Sequence, residues 1–252
     1  DAVAAGWAGD VRSRGRVGRT MITAHDWTTN TTIDPMIWKR WPDYRVWLVA
    51  ADDVDPSQIA AIADNLIQQA IDSARAADEV AGHVLRWQDA YRDFGVKPRV
   101  ARSSVDALLR RAGSDNGLPR INVLVDAYNA ISILHRVPIG GEDLDRYDGP
   151  ARLLLASGDE AFHTTSHGEP VIEHPEPGEP VWVDDTGITC RRWNWRQTTR
   201  TAIEPDTGRV GFIIDSLDAP HHRGAQAAAD QLAALVGNAH VRVIDIAGGG
   251  SC

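Results

Sequence analysis

At Pro150 the chain changes its pattern, and that change constrains the fold more than any other feature of the sequence. Before it, apolar residues recur mainly at helical spacing. After it come short strand-like runs split by Gly and Pro: "ARLLLA", "PVWVDD", "GITCRRW" and "VGFIID". A closing amphipathic helix follows in "RGAQAAADQLAALVG", and "HVRVIDIA" reads as a last strand. Helices and strands are thus partly segregated, which favours an α+β fold over a doubly wound sheet.

The earlier part carries its own punctuation. Tyr44–Ala50, rich in β-formers between Pro42 and Asp52-Asp53, reads as a strand. Asp55 suits an N-cap and Pro56 the first helical position, with Ile59, Ile62, Ala63, Leu66, Ile67 and Ala70 spaced for a helix to about Ala81. A second helix is expected over about Val80–Phe94, with Leu85, Trp87 and Tyr91 available for packing. A third is capped at Ser103-Ser104 and ends at Gly113, before a "DNG" turn. "INVLVDAYNAISILHRV" is read as a helix, although its β-branched residues also fit a strand. "GDEAFHTTSHGEPVIEHPEPGEP" is an acidic, Pro-rich loop or hairpin. The expected organisation is a leader over 1–20, one domain over 21–246 and a flexible tail over 247–252.

Composition narrows the function. The net charge is −9 over 252 residues, which argues against a general nucleic-acid coat but leaves room for a local basic patch. No apolar run approaches the roughly 20 residues that span a bilayer, and no secretory signal is read, so no membrane partner is expected. Cys190 and Cys252 are read as free thiols in a reducing cytoplasm. His163, His167, His174 and the pair His221-His222 show no ligand spacing and are expected in loops. No P-loop is present, and neither metal nor cofactor is expected.

Three groups of residues carry candidate chemistry. Asn122, Asp126 and Asn129 fall at i, i+4 and i+7, on one face of a helix, with Arg120 at its entrance. They either line a cleft or form a buried network orienting the helix; Arg120 either holds a carboxylate or phosphate or makes a surface ion pair. "GGEDLDRY" places Gly140 and Gly141, whose freedom permits close approach or positive φ, before Glu142 and Asp143. The two acids bind an α-ammonium or orient water, or else form a turn and capping cluster. "CRRWNWRQTTR" packs Arg191, Arg192, Trp193, Asn194, Trp195 and Arg196 together. If extended, Arg192, Asn194 and Arg196 face one way, suiting phosphate contact and base stacking; otherwise the tryptophans cap the core and the arginines pair with acids. Cys190 lacks an activating His in the sequence and reads as a small buried residue.

Several segments together resemble the B3/B4 domain family: "WQDAYRDFGVK", Ser103–Tyr147, "GEPVWVDDTGITCRRWNWRQTTRTAI" and "VGFIIDSL", from about Trp87 to Val236. The resemblance implies a single α+β domain with a mixed or antiparallel sheet and packed helices. In bacterial phenylalanyl-tRNA synthetase this domain holds an editing site that hydrolyses the ester of a wrongly attached tyrosine. By resemblance the chain is expected to deacylate mischarged tRNA in trans; the alternative is a tRNA- or RNA-binding module without chemistry. The family typically carries a His in a His-Ala-Phe-Asp context where Gly140 or Gly141 stands here. That departure points away from tyrosine, and it favours the binding module somewhat.

Overall fold

A computed structural model describes residues 21–76, 82–97, 99–115, 117–166 and 168–248. The expected leader, Asn116 of the "DNG" turn, His167 and residues 249–252 lie outside the described residues. The elements in chain order are α1 (Ala24–Asn30), β1 (Thr32–Ile33), α2 (Pro35–Arg40), β2 (Arg45–Ala51), α3 (Pro56–Arg75), α4 (Gly82–Asp93), α5 (Ser104–Ala112) and α6 (Val123–His135). They continue with β3 (Ile139–Asp143), β4 (Arg152–Leu155), β5 (Phe162–Ser166), β6 (Glu169–Glu173), β7 (Pro180–Val183), β8 (Ile188–Arg191), β9 (Arg196–Gln197), β10 (Val210–Ser216), α7 (Ala219–Val236) and β11 (His240–Ile244).

The local signals explain the helix starts. Asp55 accepts from the Ser57 N–H at 2.9 Å, with Pro56 in the first turn. Ser103 caps α5 through the Asp106 N–H. The ambiguous segment is helical: Asn122 caps α6 by accepting from the Val125 N–H at 3.0 Å. Its apolar residues point in most directions because α6 packs against α3, α5, α7 and β3 at once.

Strands β11, β2, β10 and β3, in that order, form an antiparallel sheet. A second sheet, in the order β1-β4-β7-β8-β9, is mixed, because β1 and β4 run parallel. Strands β5 and β6 make a hairpin from the acidic, Pro-rich segment. The fold is α+β, as expected.

The antiparallel sheet is the middle layer. Every residue of β2 after Arg45 is buried, so the strand reads as an unbroken apolar run. Trp47, Val49 and Ala51 enter one core with Leu66, Ile131 and Leu232 from α3, α6 and α7. Val46, Leu48 and Ala50 enter a second core with Trp27, Trp87, Trp182 and Trp193. Each such large apolar side chain contributes about 1.5–3 kcal/mol by leaving water.

Gly140 and Gly141 lie inside β3 and neither has a positive φ; of the two expected uses, close approach is the one found, at Gly141. The expectation that the histidines lie in loops is corrected, since His163 is in β5. Helix α7 begins at Ala219 because Pro220 fits its first turn, so His221 and His222 are helical rather than in a loop. No helix among the described residues is long and apolar enough to cross a membrane.

Candidate active site

Strands β3 and β10 pair with Gly140 opposite Ile213 and Glu142 opposite Gly211. Directly opposed residues share a sheet face, as do alternate residues of one strand. Gly140, Glu142, Ile213 and Asp215 therefore look to one side, and there a cleft of about 520 Å³ opens. Tyr128 and Asn129 of α6, Trp182 of β7 and the segment Cys190, Trp193–Gln197 complete its walls. A side chain at Gly140 would enter open space, since an added Cβ meets nothing within 4 Å. At Gly141 the same atom would lie 2.8 Å from both Tyr128 and Ile203.

Two buried carboxylates form the floor. The Gln197 amide donates to Glu142 at 2.7 Å, and burial pushes the Glu142 carboxyl up to about 8. Asp215 accepts from the Tyr44 hydroxyl at 2.7 Å and from the Asn194 amide at 3.2 Å. Burial pushes Asp215 up to about 7, despite these donors. Neither acid has an ion-pair partner among the described residues, which leaves desolvation dominant. The Trp182 indole N–H, buried in the wall, has no hydrogen-bond partner among the described residues.

The hairpin between β8 and β9 delivers Asn194. Arg192 and Trp193 have φ of 48° and 68°, the left-handed region that costs about 1–3 kcal/mol for such residues. Burial of the Trp193 ring holds them there: its centroid lies 4.7 Å from Trp41, 4.9 Å from Tyr44 and 5.2 Å from Trp87. The Tyr91 hydroxyl also donates to the Arg192 carbonyl at 2.8 Å. This reversal corrects the extended alternation expected from sequence, because residues 192–195 turn and send Trp193 and Asn194 inward.

The structure divides the candidate residues. Gly140, Glu142, Asn129, Trp193, Asn194, Trp195 and Arg196 line the cleft. Asp143 points to the opposite sheet face, where it accepts from Thr207 at 3.0 Å and from the Asp145 N–H at 2.9 Å. Asn122 caps α6 and donates to the Ile203 carbonyl. Asp126 accepts from Arg120 at 2.7 Å and from the Ile121 N–H, while Arg120 also meets Asp64 at 2.8 Å. These three are the helix-orienting network and surface ion pair of the alternative reading. Arg191 is buried in a two-pronged pair with Glu179, both bonds at 2.9 Å, and reaches Glu173 at 2.8 Å. Arg192 lies over the Trp195 ring at 4.1 Å. Gly141 is packed away from the cleft behind Tyr128.

Asp215, Tyr44, Trp182 and Gln197 were not singled out in the sequence. A lone acid inside the apolar run "VGFIID" was the available signal, since a buried carboxylate demands partners. Cys190 lines the cleft, and burial pushes its thiol well above the ordinary range, which disfavours the nucleophilic thiolate. His83, Asp218 and His221 bring nitrogen and oxygen atoms within 4.8 Å of one another. Both His83 ring nitrogens already have backbone partners, Arg136 O and Leu217 N, and the two imidazoles stack with planes 7° apart, so their lone pairs do not converge.

Comparison with known proteins adds a family. The model of the B3/4 domain matches residues 86–232, more than half of the chain. A search of curated proteins gives no match. Among solved structures the chain is similar to an N-terminal fragment of the phenylalanyl-tRNA synthetase beta-subunit from Pyrococcus horikoshii, at 13% identity and a TM-score of 0.41. That similarity covers 84% of this chain and 50% of the fragment, so the chain spans about half the fragment's length.

Proposed function

The chain belongs to the B3/4 domain family, and from that membership and the chemistry of the cleft we propose that it binds the aminoacylated end of tRNA and hydrolyses the ester of a misattached amino acid. The observation that carries the reading is the polarity of the cleft: two buried acids on the floor, and Arg102, Arg110 and Arg111 among its lining residues. An aminoacyl ester on tRNA is complementary, with a cationic α-ammonium at one end and phosphates at the other.

Roles follow from how each group is held. Asp215 has both oxygens fixed, one by Tyr44 and one by Asn194, and anchors the α-ammonium. Glu142, oriented by Gln197, accepts the proton of the attacking water; a base that titrates near the working pH suits this task. Asn129, on the wall and without a side-chain partner among the described residues, polarises the ester carbonyl. The ester is intrinsically labile, so positioning supplies much of the acceleration. Because glycine stands at 140 and 141, where the family's His is expected, selection falls on an amino acid other than tyrosine, with small polar ones first to test.

The test is a panel of mischarged tRNAs in which ester loss is timed with wild type and with Glu142→Gln. At least one ester is released, and Glu142→Gln slows it by roughly 10²–10⁴-fold, the usual contribution of a general base. Ester loss from no member of the panel, with tRNA binding intact, replaces hydrolysis with the binding-module reading.

A further inference from the structure

The arginines of the hairpin are largely consumed within the protein. Arg191 is buried against Glu179 and Glu173, and Arg200 makes a two-pronged pair with Asp184 at 2.7 and 2.8 Å. Arg196 donates to the Thr165 carbonyl at 2.9 Å and lies 3.7 Å from Glu173. Such groups offer little uncompensated charge to a polyanion.

The rim formed by α5 and the segment before it differs. Lys97, Arg99, Arg102, Arg110 and Arg111 fall within fifteen residues that contain one acid, Asp106, in a chain whose net charge is −9. Asp106 is claimed by Arg110 at 2.6 Å and Arg102 at 3.9 Å. Lys97, Arg99 and Arg111 are exposed and form no ion pair among the described residues. Arg102, Arg110 and Arg111 line the cleft together with Trp195, and the Ser104 N–H at the start of α5 donates to the Asn194 carbonyl at 3.0 Å, next to that ring.

We propose that Arg99, Arg102, Arg110 and Arg111, on and before α5, are the docking surface for RNA phosphates leading into the cleft; this rests on the aminoacyl-tRNA reading above. RNA is favoured over an acidic protein because the cationic strip runs directly to a cleft with an aromatic wall, where an unstacked terminal base can lie. Phosphate contacts release counterions, so each cation used contributes about 0.7 to the slope of log affinity against log salt on a single strand.

The experiment measures binding of uncharged tRNA across a salt series by wild type, by Arg99→Glu/Arg111→Glu and by a control reversal on α3, Arg75→Glu. In parallel, hydrolysis of an aminoacyl ester of adenosine, which lacks the RNA chain, is timed. The double variant loses at least tenfold in affinity and about one to two units of salt slope; Arg75→Glu loses neither. Wild-type affinity and slope in the double variant overturn the docking surface, even if ester hydrolysis is found. Equal competition by polyglutamate also overturns it, since the strip then reads charge rather than RNA. Lost binding in the double variant with no hydrolysis by any form upholds the surface while removing the hydrolase reading. Lost binding with unchanged hydrolysis of the adenosine ester upholds both. Arg111→Gln, which removes one charge without reversing it, reproduces a smaller slope change if the variant fold is intact.

Discussion

The Asn194 side-chain amide donates to the Asp215 carboxylate at 3.2 Å, tying the tip of the β8–β9 hairpin to the central strand β10. The strained turn at Arg192 and Trp193 brings Asn194 inward, and Asp215 is the buried acid that receives it. The Asn194→Ala and Asp215→Asn variants therefore interact. A double-mutant cycle in denaturant unfolding gives a coupling of about 1–3 kcal/mol, as for a hydrogen bond to a buried charged or polar group. Additive effects within about 0.5 kcal/mol contradict the contact.

Stability falls as pH rises through neutrality. Glu142 and Asp215 sit at about 8 and about 7 in the folded chain, above the ordinary carboxylate value near 4. Between those limits the unfolded chain has released protons that the folded chain still holds, so folding weakens with increasing pH. Their contribution is fully present below about pH 4 and lost by about pH 8–9, on the order of a few kcal/mol. Unfolding free energies of wild type and Glu142→Gln converge at low pH and separate at high pH, with the variant the less pH-sensitive. Parallel curves for the two proteins contradict the burial argument.

The adjacent glycines respond in opposite ways. Gly141→Ala forces its new methyl within 2.8 Å of Tyr128 and Ile203 and destabilises by about 1–3 kcal/mol. Gly140→Ala meets open space and leaves stability unchanged or slightly raised, because alanine loses less backbone entropy on folding. Thermal unfolding of the two variants checks the difference; equal melting temperatures contradict the placement of the two residues.

Arg191 is structural. Removing it takes the two 2.9 Å bonds from Glu179, which is 1% exposed, and leaves that buried carboxylate only the longer 3.6 Å pair with Arg192 and the Arg192 N–H. Arg191→Ala costs about 3–5 kcal/mol, whereas Arg92→Ala, whose pair with Asp89 is exposed on both sides, costs about 1 kcal/mol or less. Chemical denaturation separates these values, and similar losses for both contradict the assignment.

Much of the fold was legible because its signals are local. Asp55-Pro56, Ser103 and the unbroken β-rich apolar run of β2 act through neighbouring residues, so their elements fell where expected. Helix α6 was ambiguous because burial on several sides erases the polar face that marks a surface helix. The site was less legible, since it depends on strand facing. Glu142 and Asp143 are adjacent in sequence and look equivalent there, yet the pleat sends them to opposite faces. Asp215 was invisible as a site residue until β10 paired with β3 and set it on the same face as Glu142. The arginine-rich segment was misleading in composition, because its acids come from elsewhere: Glu173 from the β5–β6 hairpin, and Glu179 and Asp184 from either end of β7.

The account stands most directly on whether the cleft above Gly140 is where the ester is broken. Single-turnover release of the amino acid from the best ester of the panel is timed with wild type and with Gly140→Leu, whose Cβ enters the open space of the cleft. The account predicts that Gly140→Leu folds, binds uncharged tRNA with wild-type affinity and releases the amino acid at least a hundredfold more slowly. Release at the wild-type rate by a folded Gly140→Leu protein contradicts it.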